Sequence, residues 1–364
     1  MNRSAWLHWT TIAPLTAIVV LALSWGSHPG VVASLGIGIF LVGAVLSAVH
    51  HAEVVAHRVG EPFGSLLLAV AVTVIEVALI VTLMLSSSDT STLARDTVFA
   101  AVMITINGIV GLSLLIGALK YRMAVFNPEG AGSALLTVVA LAVLTLVLPR
   151  FTTSAPGPEF SGAQLTFAAV ASLALYGIFV FTQTVRHRDF FLPVAGPRGP
   201  ADEDDDGHAD PPSDRAALAS LLLLLLGLVA VVGLAKVESY PIEDAVAAVG
   251  LPQSFVGVVI ALLVLLPESF AAARAAAHDR VQISLNLAYG SAMASIGLTI
   301  PAIAVASIWL DGPLVLGLEP TQMVLLLVSV FGAVLTVVPG RAKSLHGSVA
   351  LVLLAAFVFL AINP

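Results

Sequence analysis

The sequence predicts an all-α polytopic membrane protein with about 11 transmembrane helices, arranged as one helix plus two inverted five-helix repeats. Three observations carry this. The 364 residues are 59% hydrophobic and only 10% charged, against about 25% charged in an ordinary soluble domain. Apolar stretches near membrane-crossing length, about 20 residues, recur along the whole chain between short polar breaks. Each half of the chain holds one acidic residue deep in such a stretch, at matching places. Too few polar residues remain to cover a water-facing surface, which excludes a soluble enzyme and a disordered chain. The net charge of −7, with 15 scattered Lys and Arg, excludes a nucleic-acid partner. The chain has no cysteine, so disulfides, thiolate metal sites and cysteine nucleophiles are excluded.

The stretches fall near 12–25, 30–50, 64–85, 96–119, 132–149, 161–184, 216–236, 253–275, 283–306, 316–338 and 345–362. The first is the shortest. It lacks a small-residue cleavage site, so it reads as a retained helix and not as a removable signal peptide. The runs are long and uniform, without the two-residue alternation of an outer-membrane barrel. Trp6, Trp9, Trp25 and Trp309 fall near stretch ends, where interfacial aromatics belong. With the N-terminus in the cytoplasm, the inside segments hold Arg3, Arg58, Lys120, Arg122, Arg186, Arg188, Arg198, Arg215, Arg274, Arg280, Arg341 and Lys343. The outside segments hold only Arg95, Arg150 and Lys236. This asymmetry satisfies the positive-inside rule and puts the C-terminus outside.

The longest break, 186–215, contains the run Asp202-Glu203-Asp204-Asp205-Asp206 among Pro and Gly and reads as an acidic cytoplasmic linker. The expected organisation is an N-terminal segment and first helix at 1–29, a first repeat at 30–185, the linker, and a second repeat at 216–364. The second stretch of the first repeat contains Glu76, and that of the second repeat Glu268. The next stretches carry Val110-Gly111-Leu112-Ser113-Leu114 and Ile296-Gly297-Leu298-Thr299-Ile300. An odd number of spans per repeat forces opposite topology, the architecture of many secondary transporters.

By this span map, Glu76 and Glu268 are the two acids well inside a span. A charged acid at the bilayer centre costs roughly 2.5–3.5 kcal/mol on insertion scales, an expensive way to fill space. Carboxylate oxygens suit hard cations, and apolar burial favours the neutral acid, so protons and cations compete for the same groups. Two carboxylates balance one Ca²⁺ or two protons. Ca²⁺ takes six to eight oxygens, so further ligands are expected. Pro267 frees a carbonyl about one turn before Glu268. Thr73, Asn107, Ser291, Ser295 and Asn286 are further polar candidates in or near the spans. Their alternative roles are back-bonding to their own helix and close packing. Gly108, Gly111, Gly290 and Gly297 are expected to permit close helix approach.

The strings Gly60-Glu61-Pro62-Phe63-Gly64-Ser65 and Thr73-Val74-Ile75-Glu76-Val77 resemble the first alpha repeat of ChaA-type calcium/proton antiporters. Leu266-Pro267-Glu268-Ser269, Asn286-Leu287-Ala288-Tyr289-Gly290-Ser291 and Gly297-Leu298-Thr299-Ile300-Pro301 resemble the second. These proteins belong to the calcium/cation antiporter superfamily, and the resemblance covers nearly the whole chain. It implies a proton-driven secondary transporter in a bacterial inner membrane, with no cofactor and with inorganic cations and protons as its cargo. Glu76 and Glu268 take the place of the ion-binding glutamates. Asn107, Ser291 and Ser295 match the Asn or Ser positions of the following helix, and carbonyls near Thr73 and Val264 would add ligands. By the same likeness, spans two and seven form the moving bundle. One departure is plain: Val72-Thr73-Val74-Ile75 precedes Glu76 where cation/proton exchangers carry Gly-Asn-x-x-Glu.

The remaining motifs add little. His50, His51, Glu53 and His57 read as a solvated helix end, with metal binding or pH sensing as the alternative. The sequence contains neither a P-loop nor a Gly-x-Ser-x-Gly elbow, which disfavours an ATP-driven pump and an intramembrane hydrolase. The expected activity is Ca²⁺ export against protons, with Na⁺/H⁺ or K⁺/H⁺ exchange at the same residues as the alternative.

Overall fold

A computed structural model describes residues 8–27, 29–60, 63–86, 91–194, 212–309 and 312–364. The acidic run 202–206, Trp6, Arg3 and Arg198 lie outside these residues. The described chain forms eleven helical rods. They are α1 (Trp9–Ser24), α2 (Val31–Val59), α3 (Phe63–Ser86), α4 (Leu93–Tyr121), α5 (Pro128–Arg150), α6 (Gly162–Arg186), α7 (Asp214–Ala248), α8 (Phe255–Ala277), α9 (Val281–Ala306), α10 (Pro320–Val337) and α11 (Ser344–Ile362). Among the described residues, nine helices are long and apolar enough to cross a membrane. Two shorter apolar helices, Trp9–Ser24 and Val70–Leu85 within α3, accompany them. A two-residue antiparallel pairing joins β1 (Ala124–Val125) to β2 (Arg341–Ala342).

Local sequence sets the helix ends. Gly60 ends α2 at φ 78°, a backbone region where glycine carries no Cβ penalty. Asn127 caps α5 by accepting from the amides of Glu129 and Gly130, with Pro128 in the first turn, where its missing N–H costs nothing. Ser161 and Gln164 form a reciprocal capping box at the start of α6.

Two rods outrun the sequence expectation. α2 continues nine residues past position 50, and α7 continues to Ala248, through Pro241. The first extension corrects the reading of the histidine cluster. His50, Glu53 and His57 are exposed, but His51 is buried, and its Nε2 lies 2.9 Å from the Thr10 carbonyl oxygen of α1. His51 is therefore a packed residue that ties α2 to α1, joined there by the Ser47 hydroxyl, which donates to the same carbonyl.

The chain divides into two compact units, Met1–Leu93 with Ala209–Val264, and Ala94–His208 with Leu265–Pro364. The first is built on α1, α2, α3 and α7. Ala44, Ala48 and Ala52, spaced by four on α2, are fully buried and give α2 a smooth face. Gly227 of α7 lies against Ala48, where an added Cβ would come within 3.3 Å. Small residues at such seams let helices approach closely where no water drives them together.

The second unit holds α4, α5, α6, α9, α10 and α11. Gly111 of α4 and Gly347 of α11 face each other so closely that a Cβ on Gly347 would sit 2.6 Å from the Gly111 carbonyl oxygen. A Cβ on Gly297 of α9 would sit 2.8 Å from Tyr176 Cβ on α6. Gly108 also faces α11, at 3.2 Å from Leu354. Gly108, Gly111 and Gly297 sit at such close helix contacts. Gly290 does not: a Cβ there meets nothing within 4 Å among the described residues, so tight packing is not its role.

Gly347→Ala and Gly111→Ala should each destabilise the protein by about 1–3 kcal/mol through overpacking, read as a lower thermal aggregation midpoint in detergent. Gly290→Ala should leave that midpoint unchanged or raise it, since Ala is favoured over Gly in helices by roughly 1 kcal/mol.

Candidate functional site

Glu76 lies mid-helix in α3 and is 3% exposed; Thr73, three residues earlier on the same face, is also buried. Both belong to the first unit, as does buried Val264. Glu268 lies in the second unit and is partly exposed. Pro267 sits inside α8, so the Leu263 carbonyl receives no amide from position 267. The following residue, Ser269, donates its hydroxyl to the Leu265 carbonyl at 2.7 Å. This stretch of α8 therefore combines an acid, a carbonyl without its helical partner and a back-bonded hydroxyl.

Asn107 is buried within a π-helical turn, Ile104–Ile109, in the middle of α4. Such turns are rare and concentrate at functional positions. Its Nδ2 donates to Ser329 Oγ of α10 at 2.8 Å. Both residues line a cavity of about 220 Å³ in the second unit, together with Tyr289, Leu285, Phe126 and His346. The Tyr289 hydroxyl is buried and has no hydrogen-bond partner among the described residues. Ser291 and Ser295 are four apart on α9; Ser295 is buried and Ser291 partly exposed. The Asn286 amide is engaged elsewhere. Its Nδ2 donates to the Phe191 carbonyl, and its Oδ1 accepts from Gln282 at 2.9 Å.

The structure thus joins Asn107 to a residue the sequence did not single out, Ser329, and commits Asn286 to a clamp on the segment after α6. Two further buried acids also stand out. Asp96, in the first turn of α4, is paired with Arg95 at 2.9 Å. Glu238 is 4% exposed on α7; it stands at the end of that helix's apolar segment, which runs to Ser239, three residues past the expected span. Ser113 and Thr299, matching positions in the two glycine strings, are both fully buried, with hydroxyls unpartnered among the described residues. Among the described residues, no group of three His, Asp or Glu side chains is placed to hold a metal ion.

Eleven apolar rods, nine of them long enough to cross a membrane among the described residues, with acids and amides buried among them, make a multi-span membrane protein. The chain belongs to the sodium/calcium exchanger protein family, whose family model matches residues 29–185 and 219–363. It is 44% identical to y4hA of Sinorhizobium fredii over 364 residues, covering 98% of this chain and 96% of that one. It is 34% identical to the sodium-potassium/proton antiporter ChaA of Escherichia coli over 351 residues, covering 95% and 94%. Its fold is similar to that of an H⁺/Ca²⁺ exchanger, CAX, with a TM-score of 0.71 at 14% identity over 96% of this chain and 86% of that one. The protein is accordingly a multi-span cation exchanger, a secondary transporter and not an enzyme.

Ser329→Ala leaves the buried Asn107 amide with only the weak Met103 Sδ acceptor at 3.8 Å and should cost about 1–3 kcal/mol. Asn107→Ala with Ser329→Ala should cost less than the two single losses added, because the pair shares one interaction. Thermal unfolding of the three variants in detergent checks this.

Proposed function

We propose that this exchanger exports Ca²⁺ from the cytoplasm in return for protons by alternating access, with Glu76 and Glu268 as the groups for which Ca²⁺ and protons compete. The observation that carries the reading is the placement of Glu76. A carboxylate buried mid-helix in an apolar helix is costly, and its oxygens suit a hard divalent ion. Membership of the sodium/calcium exchanger family supports the ion, and relatedness to a proton antiporter supports the counter-ion. Because Ca²⁺ takes six to eight oxygens, two carboxyl groups need help. Asn107, Ser291, Ser295, Thr73 and the carbonyls near Val264 and Pro267 are the proposed further ligands. Movement is assigned to the α2–α7 pair, in line with the packing of these two helices against α1. Twelve basic residues against three support a cytoplasmic N-terminus in a bacterial inner membrane.

A second reading, Na⁺/H⁺ or K⁺/H⁺ exchange through the same residues, is favoured by the 34% identity to a sodium-potassium/proton antiporter. Cation-induced proton release from everted vesicles separates the two. Micromolar Ca²⁺ should release protons from vesicles of the wild type, and Glu76→Gln and Glu268→Gln should each reduce release to background. Release with Na⁺ or K⁺ alone selects the second reading. Full activity in either Gln variant overturns the role given to that glutamate.

A further inference from the structure

Glu238 is a buried acid that the exchange scheme above does not use. It shares the core-facing side of α7 with Val231 and Leu234, at spacings of three and four. All three are nearly or fully buried, the two aliphatic residues within the apolar core of the first unit. Glu238 Oε1 has no hydrogen-bond partner among the described residues, although a buried polar atom almost always finds one. Pro241, three residues on, lies inside the same helix. It removes the amide that would have met the Val237 carbonyl, so the helix is loosened beside the acid. Ser239 donates its hydroxyl back to the Lys236 carbonyl at 2.9 Å. The local pattern of acid, following serine bonded to the preceding turn, and helix-interior proline also occurs at Pro267-Glu268-Ser269 on α8.

The charged neighbours among the described side chains do not explain Glu238. The helices packed against α7 are α1, α2 and α3. α1 carries no ionisable side chain, and α3 carries only Glu76. The ionisable residues of α2 are His50, His51, Glu53, His57 and Arg58. All lie toward the end that meets the start of α7, as the Arg58–Asp214 pair and the Ala48–Gly227 contact show. On α7 itself, Lys236 is exposed and lies over the Trp25 ring at 5.3 Å, and Asp244 is exposed.

We propose that Glu238 is an additional proton-binding site of the exchanger, a carboxyl that takes up and releases a proton during each transport cycle without ligating the cation. The inference rests on the proton-coupled reading above. A divalent ion needs many oxygens, and here a single acid shares its helix face with buried aliphatic side chains. A proton needs one oxygen. A hydronium ion gives its proton to Oε1 and leaves as water; the carboxyl later returns the proton to water and becomes carboxylate again. Only the O–H bond forms and breaks, and the loosened backbone at Pro241 gives water its approach.

The test uses the full chain in proteoliposomes. Dicyclohexylcarbodiimide, which attacks protonated carboxyls in apolar surroundings, should label Glu238 at acid pH and several-fold less at alkaline pH, as read by peptide mass spectrometry. Glu238→Gln should lose proton-coupled Ca²⁺ flux at least tenfold while keeping Ca²⁺/Ca²⁺ self-exchange within twofold, and Glu238→Asp should restore coupling. Absence of label at every pH overturns the proposal, as does full proton-coupled flux in Glu238→Gln. Loss of self-exchange together with coupling in both variants overturns it too, since that marks a structural or cation-binding residue. A wild type that moves no cation against protons overturns the exchanger reading instead, and the labelling result still decides whether Glu238 carries a proton.

Discussion

A bilayer interior offers no hydrogen-bond partner to a polar atom, and the rest of this structure depends on that constraint. It forces the backbone into unbroken rods and puts small residues at the seams between them. It also makes every buried polar side chain answerable for its own satisfaction. Most comply by local means. Arg95 and Asp96 neutralise each other at the start of α4, His51 and Ser47 share the Thr10 carbonyl, and the Asn107 amide finds the Ser329 hydroxyl. Even so, His51 Nδ1 and Asp96 Oδ2, with buried oxygens of Thr97, Thr105, Ser113, Tyr289, Thr299 and Glu238, keep no partner among the described residues. Those exceptions are where ions and water have reason to go.

Helix α4 shows how packing and chemistry are combined in one rod. Its glycine at 111 is pressed against Gly347 of α11, and its π-helical turn lies just before, at Ile104–Ile109. The extra residue in that turn shifts the angular register of the helix, so Asn107 is presented to α10 while the glycine face stays against α11. A straight α-helix would tie the two orientations together. α9 carries the corresponding Gly297 against α6 without a π-helical turn. The two strings therefore share a packing device and differ in the polar residue it accompanies.

Much of this was legible in the sequence. Apolar length alone marked eleven rods, and the cost of a charge in lipid marked Glu76. Glycine strings at matching positions marked two real seams. What failed had a common cause, because sequence patterns give composition along a rod and not the side each residue faces. The expected span ends at 236, yet α7 runs on through Pro241 and carries Glu238 on its buried side. His51 was grouped with its exposed neighbours, although one turn of helix puts it against α1. Gly290 stands in a familiar string but borders open space. Ser329 carries no sequence signal at all: a lone serine in an apolar run is unremarkable until Asn107 is seen opposite it.

The glycine seam between α4 and α11 also has a history in time. The groove at Gly111 is made early in synthesis, and the helix that fills it, around Gly347, comes more than half the chain later. At roughly 5–20 residues per second, that groove stands open for on the order of 10–50 seconds on every molecule made. During that interval Asn107 has no partner from α10 either, because Ser329 is also still unmade. The nascent protein therefore carries a polar, close-fitting slot inside the membrane that any passing helix with a small-residue face could enter, and its biogenesis has to keep that slot vacant or guarded until its own last rods arrive.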